Sequence, residues 1–324
     1  MKKYTKSLGL FALLGVLPIL GLYLLLNRAG IRPLLTDSVS FDVKADAIKD
    51  AEIDKVDVLG LGSSISLNNL GSQAIQDYIG ADFSYYNFSS WGLTMKDLNV
   101  MLPVLLEKYQ PKVLIIASGP MDFEQQKVGM CDSDEYRWYL EGENTSYFYA
   151  KNTDLYGLIQ RKRTVNKYTS HASPEQRIHL LFDEWGGCNL TTKKENYQWF
   201  RYNDNLMTKT VDEQFEELRK ICAFTEEKDV KLIFVISPMK KDPNCVDQAC
   251  KDFVANHIAR VREAVESEGQ LFLDLHTHHN YPDSLFCDES HLVHTGPERF
   301  SKEILRVYPL KAYLSGNTKA LVQQ

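Results

Sequence analysis

Two small hydroxyl residues, Ser63 and Ser64, end an apolar run, "VDVLGLG", where a buried strand would break into a turn. A serine there can expose its oxygen to solvent while its own amide faces a developing oxyanion. Such a serine still needs a base. The best supply is "FCDESHLVHTG" near the C-terminus, where Asp288 and His291 stand three apart. That spacing lets a carboxylate orient the imidazole through one ring nitrogen while the other faces the serine. The chemistry would be acyl transfer through a covalent serine intermediate.

These residues need a scaffold that brings them together. Residues 56–61 read as a short buried strand, and residues 66–79 have helical spacing. "FSYYNFS" is a second strand. Thr94 opens a helix over "TMKDLNVMLPVLLEKYQ", and "KVLIIASGP" is a third strand. The alternation stops over residues 124–205, which are rich in Tyr, Trp, Asn and charge. It resumes with helix "VDEQFEELRKICAFTEEK", strand "VKLIFVISP", a helix over about 247–268, strand "QLFLDLH" and a helix over about 297–307. Five strands alternating with helices predict an α/β fold: a five-stranded parallel sheet between two helical layers, α/β/α and flavodoxin-like. Right-handed crossovers then put the strand C-terminal ends, and Ser64, on one edge. The boundaries expected are residues 1–32 for a cytoplasmic tip and membrane helix, 33–52 for a juxtamembrane linker, 53–312 for the body with its insertion at about 124–205, and 313–324 for a tail.

Gly62-Ser63-Ser64 after the first strand, with Asp288-x-x-His291 before the last helix, resembles the SGNH/GDSL hydrolases. In that family the nucleophile ends Gly-Asp-Ser, so the resemblance nominates Ser64, with Ser63 at the Asp position. A second block, an oxyanion-hole glycine in a segment like Asn-x-x-x-x-Gly, matches "YNFSSWGLT" and nominates Gly92, with Asn87 at its start. A third, Gly-x-Asn-Asp, reads Gly119-Pro120-Met121-Asp122, so Met121 replaces the oxyanion-hole Asn. The fourth continues from Asp288 and His291 to Leu292 and Gly296. The resemblance covers about residues 54–123 and 228–310 and implies a catalytic trio of Ser64, His291 and Asp288. The amides of Ser64 and Gly92 would form the oxyanion hole, with Ser63, Asp122 and His294 as supporting residues and no cofactor or metal. The departure at Met121 is similar to membrane-anchored, exported branches that act on cell-envelope polymers, including proteins of teichoic-acid D-alanylation and polysaccharide O-acetylation. The partners implied are an acylated polysaccharide or other envelope polymer and a membrane-bound acyltransferase. A different class is a non-catalytic scaffold of the same fold that binds such a polymer or acyltransferase; Met121 favours it and the intact trio opposes it.

The N-terminus points to the same compartment. Residues 7–26, "SLGLFALLGVLPILGLYLLL", carry no charge. In a helix they span about 30 Å, the thickness of the hydrocarbon core. The exit "LLLNRAGIRP" lacks a small-x-small cleavage site, which favours an uncleaved signal anchor over a cleaved leader. Lys2, Lys3 and Lys6 precede the run, against Arg28 and Arg32 after it, so the body is expected outside the cytoplasm on a single-pass anchor. There an even count of cysteines permits disulfides. Cys245 and Cys250 could close a short bridge and Cys131 with Cys188 a second, against free buried thiols as the alternative.

With 324 residues and a net charge of −6, the chain lacks the basic face of a nucleic-acid binder. "GLGSSI" lacks the third glycine of a dinucleotide loop, and no Walker lysine or Gly-x-Ser-x-Gly elbow is present. His276, His278 and His279 cluster after the fifth strand, but their spacing is poor for zinc and a solvated loop is the default. The insertion aromatics Trp138, Tyr139, Tyr147, Tyr149, Trp185, Trp199 and Tyr202 read either as a sugar-stacking groove or as a small core of the insertion, and Trp91 beside Gly92 reads either as a wall of the pocket or as core. The sequons at Asn87, Asn144 and Asn189 matter only in a eukaryotic secretory host.

Overall fold

The computed structural model describes residues 11, 14–15, 17–18, 21–22, 24–26, 28–125, 131–151, 155–170, 179–191, 210–240 and 248–316. Five parallel strands form one sheet: β1 Val58–Gly60, β2 Tyr85–Asn87, β3 Val113–Ser118, β4 Lys231–Ile236 and β5 Leu271–Asp274. Their order is β2-β1-β3-β4-β5. Every pairing is parallel, with Val58 opposite both Tyr85 and Val113. The direction of winding reverses at β1, so the crevice between the ends of β1 and β3 is where such a sheet presents its site.

Both faces of the sheet are buried, which is why the strands read as continuous apolar runs. Alternation sorts their side chains. Leu59, Leu114, Ile116, Leu232, Phe234 and Ile236 enter one core with α1 (Val39–Asp50), α4 (Met95–Tyr109), α8 (Asp212–Glu227) and α9 (Gln248–Glu266). Val58, Val113, Ile115, Ala117, Ile233, Val235 and Leu273 enter a second core with α3 (Ser72–Ile79), α10 (Gly296–Val307) and α11 (Leu310–Leu314). Thr94 caps α4 in a capping box closed by Asp97, as its sequence signals.

Two expectations change. The spacing over 66–79 does not make one helix. α2 (Ser64–Asn69) and α3 are separated at Gly71, where a Cβ would lie 3.0 Å from the carbonyl of Pro297 at the start of α10. The Gly71 amide donates to Ser301 Oγ at 2.8 Å. This close approach seats α10, and the loop leading into it, beside α2. Residues 33–52 are not a linker, because α1 buries Phe41, Ala45 and Ile48 in the first core. Its Lys44 is fully buried, with Nζ donating to the carbonyls of Asn87 (3.1 Å) and Gly186. Among the described residues of the insertion are the helices α5 (Ser133–Glu141), α6 (Thr145–Lys151) and α7 (Leu155–Thr169).

The insertion's aromatics mostly pack on one another. Tyr139 meets Phe148 edge-on at 5.3 Å and Tyr147 lies 6.2 Å from Trp138. The Tyr139 hydroxyl donates to Asp46 of α1 at 2.7 Å. Trp199 and Tyr202 lie outside the described residues.

Cys131 and Cys188 do not pair. Both are free and buried, one in the first core and the other in a separate cluster with Leu67 and Leu180. Cys250 is disulfide-bonded, and Cys245 lies outside the described residues. Among the described residues, no helix is long and apolar enough to cross a membrane. Half of the run at 7–26 lies outside them, as does the chain from 317 onward.

Candidate active site

Three side chains far apart in sequence meet at the C-terminal edge of the sheet. β1 ends at Gly60, and Gly62 turns the chain with φ +152. A Cβ on Gly62 would lie 2.7 Å from Ser66 Cβ. Ser66 itself stitches the turn to β3: its hydroxyl lies 3.0 Å from the Leu61 carbonyl and 2.9 Å from that of Ala117, and accepts from the Ala117 amide at 2.8 Å. Gly62→Ala is therefore expected to destabilise the fold by about 2–4 kcal/mol, from backbone strain and overpacking together. A urea unfolding curve measures it, and an unchanged midpoint would show that the turn tolerates a side chain.

Ser63 caps α2. Its backbone is extended and its hydroxyl accepts from the Ile65 amide at 3.1 Å. Ser64 is the first residue of the helix, so its amide has no acceptor within it and its side chain is half-buried. Ser64 Oγ lies 2.8 Å from His291 Nε2. On the far side of the ring, Nδ1 lies 2.9 and 2.8 Å from the two carboxylate oxygens of Asp288. A carboxylate only accepts, so Nδ1 carries the proton and Nε2 is left to accept from the Ser64 hydroxyl. Asp288 and His291 are both buried, so the relay runs from a reachable hydroxyl into the protein.

The Asp-x-x-His spacing has a local cause. Asp288 Oδ1 accepts from the amides of Ser290 (3.0 Å) and His291 (2.9 Å), an Asx-type turn that folds the imidazole back over its own carboxylate. Burial alone would lower the His291 pKa, but the Asp288 charge and hydrogen bond outweigh it and hold it above the ordinary 6.5. Burial would raise Asp288, but His291 and the two loop amides bring it down to about 2. The pair is built to hold an imidazolium, the charge that forms when a base takes the serine proton.

No family model matches this chain, and no curated protein matches it. Among solved structures it is similar to a Bacteroides fragilis protein described as an acylhydrolase, at 12% identity and a TM-score of 0.42, covering 85% of this chain and 98% of that one. A GDSL-like lipase from Bacteroides thetaiotaomicron matches at 11% identity and a TM-score of 0.40, over 83% and 99% of the two chains. A variant of an acetylxylan esterase from Geobacillus stearothermophilus matches at 14% and 0.37, over 79% and 95%.

The supporting residues fare differently. Asp122, in the 3₁₀ turn Pro120–Phe123 after β3, is buried, and its Oδ2 accepts from Ser118 Oγ (2.8 Å) and the Gly119 amide (3.3 Å). Burial pushes its carboxyl up to about 6 against hydrogen bonds from Ser63 and Ser118, and its charge also acts on His291. Ser63, next to Ser64 in the chain, and Asp122 are thus bonded to one another. His294 is exposed at φ +56 and acts through its backbone, donating to the Leu190 carbonyl at 3.4 Å. Gly92 sits in an exposed turn at φ +73, two residues beyond Ser90, whose amide donates to the Gly62 carbonyl at 3.1 Å. Asn87 is fully buried, bridging the Ser66 carbonyl and the Ser89 amide. Trp91 packs edge-on against Tyr168 of α7 at 5.5 Å.

In the histidine cluster, His276 Nδ1 accepts from the Met239 amide and His279 Nδ1 from that of Tyr281. Among the described residues no group of three His, Cys, Asp or Glu is placed to hold a metal.

Sequence reading missed three polar residues on α2: Ser66, Asn68 and Asn69, all buried. Asn68 Nδ2 donates to the Cys188 carbonyl at 2.5 Å and ties the insertion to the site. In "SISLNNL" they carry no signal, since a buried and an exposed helical Asn are the same letter.

Proposed function

We propose that this chain is a serine esterase or O-acyltransferase of SGNH type, anchored in a membrane and acting outside the cytoplasm on acyl esters of an envelope polysaccharide. The observation that carries the chemistry is the unbroken relay from Ser64 Oγ through His291 to Asp288. Ser64 Oγ attacks the ester carbonyl carbon as Nε2 of His291 takes its proton. The tetrahedral intermediate collapses, the ester C–O bond breaks, and His291 returns the proton to the departing alkoxide. The acyl group then sits on Ser64. Water resolves it as hydrolysis, or a sugar hydroxyl resolves it as transfer, each activated by the same imidazole.

The Ser64 amide and the Gly92 amide are the oxyanion donors in this scheme. Met121 supplies no side-chain donor where the family has Asn, and one missing donor lowers kcat on the order of 10²–10³-fold. A modest rate towards small esters follows. The scaffold alternative draws on Met121 alone; against it, a binding module has no need of a hydrogen-bonded serine, histidine and aspartate.

The anchor is supported by the uncharged run at 7–26 and by the exposure of its described apolar residues, such as Phe11 at 75% and Leu25 at 67%, which in water would be a liability. The chain leaving that run is fastened to the insertion: Tyr149 donates to the Ile31 carbonyl at 2.7 Å and Lys162 to that of Ala29.

A fluorophosphonate probe applied to cells making the full chain tests the proposal. Labelling is expected at Ser64, in the membrane fraction. The base must be neutral, and its pKa is raised. The labelling rate is therefore expected to fall as pH drops through a value above 6.5. An unlabelled protein would support the scaffold, and a labelled protein in the soluble fraction would remove the anchor.

A further inference from the structure

We propose that Asn69 is the positioning residue that sets the reach between His291 Nε2 and Ser64 Oγ, an inference that rests on the serine-relay reading above. Asn69 is fully buried at the last turn of α2. Its amide uses both ends on the loop that carries the base. Nδ2 donates to the Ser290 carbonyl at 2.7 Å, and Oδ1 accepts from the Leu292 amide at 2.8 Å. These are the peptide groups immediately before and after His291. The second Nδ2 hydrogen goes to Ser237 Oγ, just past β4, at 2.9 Å.

The consequence is geometric. Nucleophile and clamp are the first and last residues of one six-residue helix, a rigid ruler about 9 Å long. Asp288 fixes the imidazole's rotation and the amides of Ser290 and His291. It does not bond the Ser290 carbonyl or the Leu292 amide, which Asn69 holds. Without Asn69, these two backbone groups lose their tie to the helix that carries Ser64, and a displacement of about 1 Å between reacting groups can lower a rate about 10²-fold. Ser237 keeps the Asn69 amide turned so that its oxygen faces Leu292 and its nitrogen Ser290.

The test uses the full chain in detergent, with p-nitrophenyl acetate as substrate and rates expressed per folded protein from an unfolding curve. Asn69→Ala is expected to lower kcat about 10- to 100-fold with KM nearly unchanged. It is also expected to move the acid limb of the pH profile to lower pH, because a loosened loop weakens the hold of Asp288 on His291. A purely structural role would lower the folded fraction and leave both readouts of the folded protein alone. Ser237→Ala, a milder change that removes only the orienting bond, is expected to lower kcat about 3- to 10-fold and decides the matter if Asn69→Ala does not fold. Wild-type kcat and pH profile in the folded variants would overturn the role of Asn69 while leaving the esterase reading intact. A wild-type protein that neither turns over nor labels would remove that reading first, and Asn69's role with it.

Discussion

Ser64→Ala is expected to lower turnover of a small activated ester on the order of 10⁴–10⁶-fold and to abolish fluorophosphonate labelling. The size follows from the covalent step. Without the hydroxyl there is no acyl-enzyme, and only the oxyanion donors and substrate binding remain to act on water. Folding should be nearly untouched, because Ser64 is half-buried and its side-chain hydrogen bond to His291 is worth about 1 kcal/mol. Steady-state kinetics beside a thermal unfolding curve separate the two effects. A folded variant that still turns over the ester at the wild-type rate would refute the role of Ser64.

Asp288→Asn is expected to lower kcat by about 10⁴-fold. The reason is the identity of the proton on His291. In the native site Nδ1–H points at a carboxylate that can only accept, so Nε2 is free to receive the serine proton. The Oδ1 of residue 288 is already committed to the amides of Ser290 and His291. An Asn that keeps those two bonds turns its NH₂ towards Nδ1. The ring must then accept there and carry its proton on Nε2, facing Ser64 the wrong way round. Charge matters as well. The carboxylate is what holds the imidazole above 6.5, so its removal lets burial dominate and moves the acid limb of the residual activity to lower pH. Turnover within tenfold of wild type would show that the carboxylate only shapes the loop.

Much of this architecture is legible in the letters, and for local reasons. Residues buried on both faces of a parallel sheet must be apolar throughout, so "KVLIIAS" and "KLIFVI" read as strands. The Asp288-x-x-His291 turn is legible too, because the carboxylate bonds amides two and three residues ahead of it. The uncharged, apolar run at 7–26 is a matter of composition. The helix at 39–50 escaped notice because Asp42 and Lys44 interrupt its apolar pattern. Asp42 is held by nearby Thr36 and by Arg161 of α7, and Lys44 by the carbonyls of Asn87 and Gly186; Arg161, Asn87 and Gly186 are contacts no local window contains.

The same limit separates the trio from its support. Residue types and spacing nominate Ser64 and His291, which lie 227 positions apart. Their 2.8 Å contact depends on the sheet order, on Gly71 letting α10 pack close to α2, and on Asn69 gripping the peptides around His291. Each of these is a long-range fit between backbone and side chain, and a buried amide that fits is spelled the same way as one that faces water.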